Sequence, residues 1–182
     1  MSALAATVLI NGTVGVGKTA TASALAVLLR ESGVPHAVID TDEIRRSWPA
    51  PHGDRFNTQL QLANLTSLSM NYRSAGSRVL IVSGVVEAAD MVQRYRAAAG
   101  GHRMIMVRLT AAYPIREARI TSRHAGDSAG ALWHLQRTVE LDRILDDAGL
   151  EDFTVDTFDK DLDSIAREIW ERAAWLFQEN RA

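Results

Sequence analysis

Eight consecutive residues, Gly12-Thr13-Val14-Gly15-Val16-Gly17-Lys18-Thr19, have the types and spacing of a phosphate cradle, G-x-x-x-x-G-K-T. Glycine tolerates backbone angles that other residues resist, so such a loop can curl until successive N–H groups converge on phosphate oxygens. The Lys18 ammonium is expected at the β- and γ-phosphates of a nucleotide, and the Thr19 hydroxyl on Mg²⁺. A bland glycine turn between a strand and a helix would share the pattern; context decides against it. An apolar run from Ala6 to Ile10 precedes the loop and an alanine-rich stretch from Ala20 to Leu29 follows it. These are the strand and helix that the motif requires, and the helix adds its positive N-terminal end.

The second stretch with chemical potential is Asp40-Thr41-Asp42-Glu43-Ile44-Arg45-Arg46. Carboxylates at i and i+2 at the end of a strand project to the same side if the strand persists, and a helix starting near Asp42 would aim its amides back at the site. Phosphoryl transfer to a hydroxyl needs a proton acceptor and a means of holding Mg²⁺, and one carboxylate for each would serve. The plainer alternative makes Asp42 a helix N-cap and Asp40 a solvated strand end. Glu87, four residues past Ser83, faces the acceptor or the metal, or else merely opens a helix whose dipole favours a carboxylate. Arg116, Arg119 and Arg123 share one helical face by their spacing, just before a glycine-bearing loop. Trp48, Phe56, Arg45, Arg46, Arg55 and Arg73 fall in or near a segment expected to cover an acceptor. Aromatics beside guanidinium groups suit a ring or sugar with an anionic group, and equally suit a segment packing on its own helix.

These residues need a scaffold, and the apolar pattern supplies one. Ala6 to Ile10, His36 to Asp40, Arg78 to Ser83, Met104 to Leu109 and Phe153 to Thr157 read as five short strands. Helices are expected from Lys18 to Arg30, Phe56 to Arg73, Ala88 to Ala99, and Pro114 to His124. Further helices should run through Leu132, Leu135, Val139, Ile144 and Leu145, and through Leu162, Ile165, Ile169, Ala173 and Leu176. Residues 125–130 read as a flexible link. Strands alternating with helices give an α/β fold with a parallel sheet covered on both faces, and ligands collect at the carboxyl ends of its strands. Trp133, Trp170 and Trp175 are expected in the core or at a contact between two copies, which would make a homodimer. His134 lies on a polar helical face, and no histidine has metal-ligand spacing.

At 182 residues the chain is one domain with a proper core. Its net charge of -2 offers no general attraction for nucleic acid or an anionic membrane. The absence of cysteine removes disulfides, thiolate zinc sites and cysteine nucleophiles, and suits the cytoplasm. No signal peptide is expected from Met1-Ser2-Ala3-Leu4-Ala5-Ala6, and no apolar stretch is long enough to span a bilayer.

Together the Gly12 to Thr19 loop, the Asp40 to Arg46 run and the arginines at 119 and 123 resemble the P-loop small-molecule kinases: adenylylsulphate, shikimate and gluconate kinases and chloramphenicol phosphotransferase. Asp40-Thr41-Asp42-Glu43-Ile44-Arg45 is similar to the D-G-D-N-[IV]-R run of adenylylsulphate kinases. The third strand, however, ends in Ser83-Gly84-Val85-Val86-Glu87 where those enzymes carry F-I-S-P, and no shikimate-type F-R-x-x-E is present. No aspartate terminates that strand and no N-K-x-D follows, which argues against a motor ATPase and a GTPase.

The resemblance implies a three-layer α/β/α P-loop domain with a five-stranded parallel sheet, like that of nucleoside kinases. Residues of about 44–76 would cover the acceptor and about 116–130 would form a short lid. It implies ATP and Mg²⁺ as cofactors and a small-molecule acceptor. Residues 12–19 and Arg119 would bind ATP, with Arg119 on adenine. Thr19 and Asp40 would hold the metal. Lys18 and Arg123 would stabilise the transferred phosphoryl group, and Asp42 would act as the base. Arg45, Trp48, Phe56 and Glu87 would join Asp42 at the acceptor. The expected reaction moves the γ-phosphoryl of ATP to a hydroxyl of a metabolite or antibiotic. A nucleoside or nucleotide kinase is the alternative, and an ATP-binding regulatory module with little turnover is the alternative of another class.

Overall fold

The computed structural model describes residues 5–101 and 103–174. Its five strands are β1 (Ala6–Gly12), β2 (His36–Asp40), β3 (Val79–Ser83), β4 (Arg103–Thr110) and β5 (Phe153–Asp156). They form one sheet in the order β2-β3-β1-β4-β5, and every neighbouring pair is parallel. Among the described residues six helices connect them, α1 (Lys18–Glu31), α2 (Thr41–Ile44), α3 (Thr58–Ser74), α4 (Ala89–Ala98), α5 (Tyr113–Arg123) and α6 (Ser128–Ala148), and α7 (Leu162–Ala173) follows β5. The expected α/β/α architecture is the observed one.

β1 occupies the centre, and all seven of its residues are buried. Because side chains alternate along a strand, it feeds two cores. Val8 and Ile10 pack with Leu25 and Leu29 of α1 and Ile165 and Ile169 of α7, whereas Leu9 packs with Leu62 and Leu65 of α3 and Tyr95 of α4. The chain leaves β1 for β2 across the place later filled by β3, and goes from β3 to β4 on the other flank. Such a reversal opens a crevice at the carboxyl edge, and residues 13–17 lie at it.

Several sequence-based boundaries move. α6 begins at Ser128, capped by the Asp127 carboxylate on Gly130 N, so the second half of the expected flexible link is helical. Arg73 does not approach an acceptor. Its guanidinium donates to the carbonyls of Ala6 (2.9 Å) and Arg78 (2.5 Å), at the opposite end of the sheet from the loop. Trp170 packs against the α1–α7 core, but Trp133 is half exposed, edge-on to His134, which itself stacks on His124. Trp175 and Leu176 lie outside the described residues. Among the described residues no helix is long and apolar enough to cross a membrane.

Candidate active site

The loop after β1 has turned its carbonyls outward onto protein donors. Lys18 Nζ donates to the carbonyls of Gly12 and Thr13, both at 3.0 Å, and Thr138 Oγ1 to that of Val14 at 2.9 Å. Arg119 Nη1 donates to Gly15 and Val16, each at 3.2 Å, and Thr21 N to Gly17 at 2.9 Å. With the carbonyls so engaged, the N–H groups are left as the loop's polar face, and anionic oxygens match it. Gly12 is obligatory here: its φ is +141°, and a Cβ would stand 2.7 Å from the Leu109 carbonyl. The surrounding protein strips water from the Lys18 ammonium and lowers its pKa from 10.5 to about 8. The charges of Asp42 and, more weakly, Asp40 oppose that shift, while Arg123 and Arg45 add to it. These five residues therefore share one electrostatic neighbourhood.

Asp40 ends β2 and divides its carboxylate between two tasks. Oδ2 accepts from the Thr19 hydroxyl at 2.7 Å, and Oδ1 accepts from Asp42 N at 2.9 Å as the N-cap of α2. The cap is thus Asp40, the reverse of the plainer sequence alternative, and the Asp42 side chain is free of that duty. Asp42 is exposed and pairs with Arg45 Nη2 at 2.6 Å. Between them Thr41 is buried against Gly84, where a Cβ would collide with Thr41 Oγ1. Thr41 also bonds the Tyr95 hydroxyl, which accepts from Gln61 Nε2; burial pushes that hydroxyl's pKa up. This polar layer beneath α2 was not legible in the sequence.

Glu87 lies in the β3–α4 connection and accepts from Arg137 Nη2 of α6 at 2.5 Å. The connection is fixed by buried Asn11, whose Oδ1 accepts from Val86 N (3.0 Å) and Gly12 N (2.9 Å) while Nδ2 donates to Val86 O (3.1 Å). Neither Asn11 nor Arg137 was anticipated. A polar residue inside an otherwise apolar strand was the available signal for the first.

The three arginines of α5 separate. Arg116 is buried, donating to Thr13 Oγ1 (2.9 Å), Thr138 Oγ1 (3.2 Å) and the Asp142 carboxylate. It is part of the loop's support, not of an exposed basic face. Arg119 reaches the loop carbonyls, and Arg123 ends the helix exposed. In residues 45–57 Trp48 is 93% exposed and Phe56 63%, the latter with Arg55 over its ring at 5.4 Å. Arg46 pairs with Glu43 at 2.9 Å.

Thr19 and Asp40 present a hydroxyl and a carboxylate oxygen 2.7 Å apart, hard donors of the kind Mg²⁺ takes. Among the described residues no three His, Cys, Asp or Glu gather around a point that could hold a metal. A Mg²⁺ ion in a nucleotide site needs only one or two protein oxygens, with phosphates and water supplying the rest, so the donor set fits.

A sequence model of the family described as adenylylsulphate kinase matches residues 4–120. No curated protein matches the chain in sequence. Its fold is similar to that of the tunicamycin resistance protein of Deinococcus radiodurans, with a TM-score of 0.66, 20% identity, and 93% and 95% of the two chains covered. The adenylylsulphate kinase of Mycobacterium tuberculosis, solved with AMPPNP and APS, gives a TM-score of 0.59 at 20% identity over 93% and 97% of the chains. A gluconokinase from Sinorhizobium meliloti gives 0.59 at 20% identity over 96% and 95%.

Proposed function

The chain belongs to the adenylylsulphate kinase family, and on that premise we propose that it transfers the γ-phosphoryl group of ATP to a hydroxyl of a small molecule, with Asp42 as the base. The family consists of P-loop kinases that phosphorylate small molecules. The observation that carries the finer reading is the convergence on the loop: Thr19 bonded to Asp40, and Asp42 acting electrostatically on the Lys18 ammonium.

In this reading the loop amides and Lys18 hold the β- and γ-phosphates, and Arg119 flanks the adenine. Thr19 and Asp40 hold Mg²⁺, which when bound draws negative charge off the phosphate oxygens. Asp42 leaves Arg45 to accept the proton of the acceptor hydroxyl. The acceptor oxygen bonds to the γ-phosphorus as the bond from that phosphorus to the β–γ bridging oxygen breaks, and ADP departs with that oxygen's electron pair. Lys18 and Arg123 neutralise the charge spread over the transferring group. Residues of about 44–76, with Arg45, Trp48 and Phe56, cover the acceptor, Glu87 takes one of its polar groups, and about 116–130 serve as the lid.

The acceptor class is a metabolite or an antibiotic. A carboxylate base and exposed aromatics suit a hydroxylated ring, and a fold neighbour is a tunicamycin resistance protein. A panel of adenylylsulphate, nucleosides, shikimate, gluconate, tunicamycin and aminocyclitols, each read by ADP release, tests the reading. Stimulation by one member supports it. ATP binding with no stimulation by any member, together with nucleotide-dependent capture of a protein partner, would replace it with a regulatory module.

A further inference from the structure

The Lys18 ammonium has three N–H donors, too few for two loop carbonyls and the β- and γ-phosphates at once. In the structure its ammonium holds the carbonyls of Gly12 and Thr13. When it turns to both phosphates, at least one of those carbonyls loses its donor at the moment the loop must present its amides. Arg119 holds the next two carbonyls but is an exposed side chain, and the proposed adenine contact makes a competing demand on it.

A second set of contacts has no such competing demand. Arg116 and Thr138 are 4% and 0% exposed. The Arg116 guanidinium donates to Thr13 Oγ1 and Thr138 Oγ1, and Thr138 in turn donates to the Val14 carbonyl, so the guanidinium polarises the hydroxyl that holds the carbonyl. Asp142 fixes the guanidinium from behind. Asp142 also faces Arg108 at 4.0 Å, which is anchored on Asp146 (2.7 Å) and Glu151 (3.5 Å). Arg116 is thus held, buried, by one carboxylate and two hydroxyls.

We propose that Arg116 and Thr138 are positioning residues for nucleotide binding, holding residues 12–17 in their amide-inward form while Lys18 is exchanged from carbonyl to phosphate. The inference rests on the nucleotide-binding reading of the loop, and touches neither the acceptor nor Asp42. The effect acts on the phosphates alone and is indifferent to the base.

The test uses the whole chain and titrates MgATP and MgGTP by calorimetry. Thr138→Val and Thr13→Val keep a β-branched shape without the hydroxyl; Thr138→Ser and Thr13→Ser keep the hydroxyl. Each valine variant is expected to weaken both nucleotides by the same factor, about tenfold for one lost charge-assisted bond, and each serine variant to restore wild-type affinity. Thermal melts check that the variants are folded, and Thr13→Val decides the matter should Thr138→Val not fold. Folded valine variants with wild-type affinity would overturn the proposal, as would serine variants as impaired as the valine ones. A wild-type chain that binds no nucleoside triphosphate would instead overturn the functional reading itself.

Discussion

The phosphate loop and the segment of residues 45–57 both lead from the carboxyl edge of the sheet, yet they are held in different ways. The loop is tied down by side chains more than a hundred positions away: Arg116 on Thr13, Arg119 on Gly15 and Thr138 on Val14. The segment is tied mainly to its own surroundings. Asn57 donates to the carbonyls of Arg45 and Ser47, Asn64 to that of Ile44, and Asp54 accepts from the first amides of α3. Its large apolar side chains, Trp48 and Phe56, stand in solvent. Long-range ties make the cradle a property of the whole fold, while local ties let the segment change without disturbing it. Such a division would let the segment be exchanged on a fold whose cradle is kept.

The comparison can be broken or sharpened by substitution. The largest effect is expected from Asp42→Asn: acceptor-stimulated ADP release should fall by about 10²–10⁴, with MgATP affinity by calorimetry within about twofold of wild type. Parallel loss of both would make Asp42 structural. Gly12→Ala should destabilise the chain by about 3 kcal/mol or more, because both its φ and the Leu109 carbonyl forbid a Cβ. Chemical denaturation reads this, and a loss under about 1 kcal/mol would mean that the loop is less constrained than its contacts imply.

The next expectation concerns pH. The Lys18 pKa is about 8 in the free protein, and a bound phosphate favours the charged ammonium. Below pH 8 the proton is already in place. Above it, binding must take up a proton, so MgATP affinity should fall by up to about tenfold per pH unit. Titrations in buffers of different ionisation enthalpy would detect the uptake, and a flat profile from pH 7 to 9.5 would rule it out. The same depressed pKa makes folding stability rise between about pH 8 and 10.5, where the unfolded chain holds a proton that the folded one has released.

On the segment the effects should be smaller. Asp54→Ala removes the carboxylate that accepts from the first amides of α3 and should cost about 1 kcal/mol in denaturant midpoint experiments, leaving MgATP affinity unchanged. Trp48→Ala should move stability by no more than about 0.5 kcal/mol and raise the KM for the acceptor only. A change in nucleotide affinity there would dissolve the distinction between the two regions.

What could be read from the sequence divides along the same line. The loop, the strand before it and the carboxylate pair at the end of β2 were legible because each is a contiguous pattern. The α5 arginines were legible in angle but not in height. Their spacing puts them on one face, but Arg123 sits seven residues beyond Arg116, roughly 10 Å along the axis. α6 covers the first and leaves the last exposed. The pairing of Arg137 with Glu87 joins residues fifty positions apart, which no periodicity reports. Arg73 misled because a basic residue near an expected covering segment is indistinguishable, one-dimensionally, from one that closes the foot of the sheet.

Asn11 limits how freely the parts of this molecule can be traded. Its single carboxamide oxygen is shared between the amide that opens the phosphate loop and the amide beside Glu87. A designer who wished to transplant the β3–α4 turn of another protein of this fold would have to bring position 11 along with it. The two pieces are fastened as one module, whatever the distance between them along the chain.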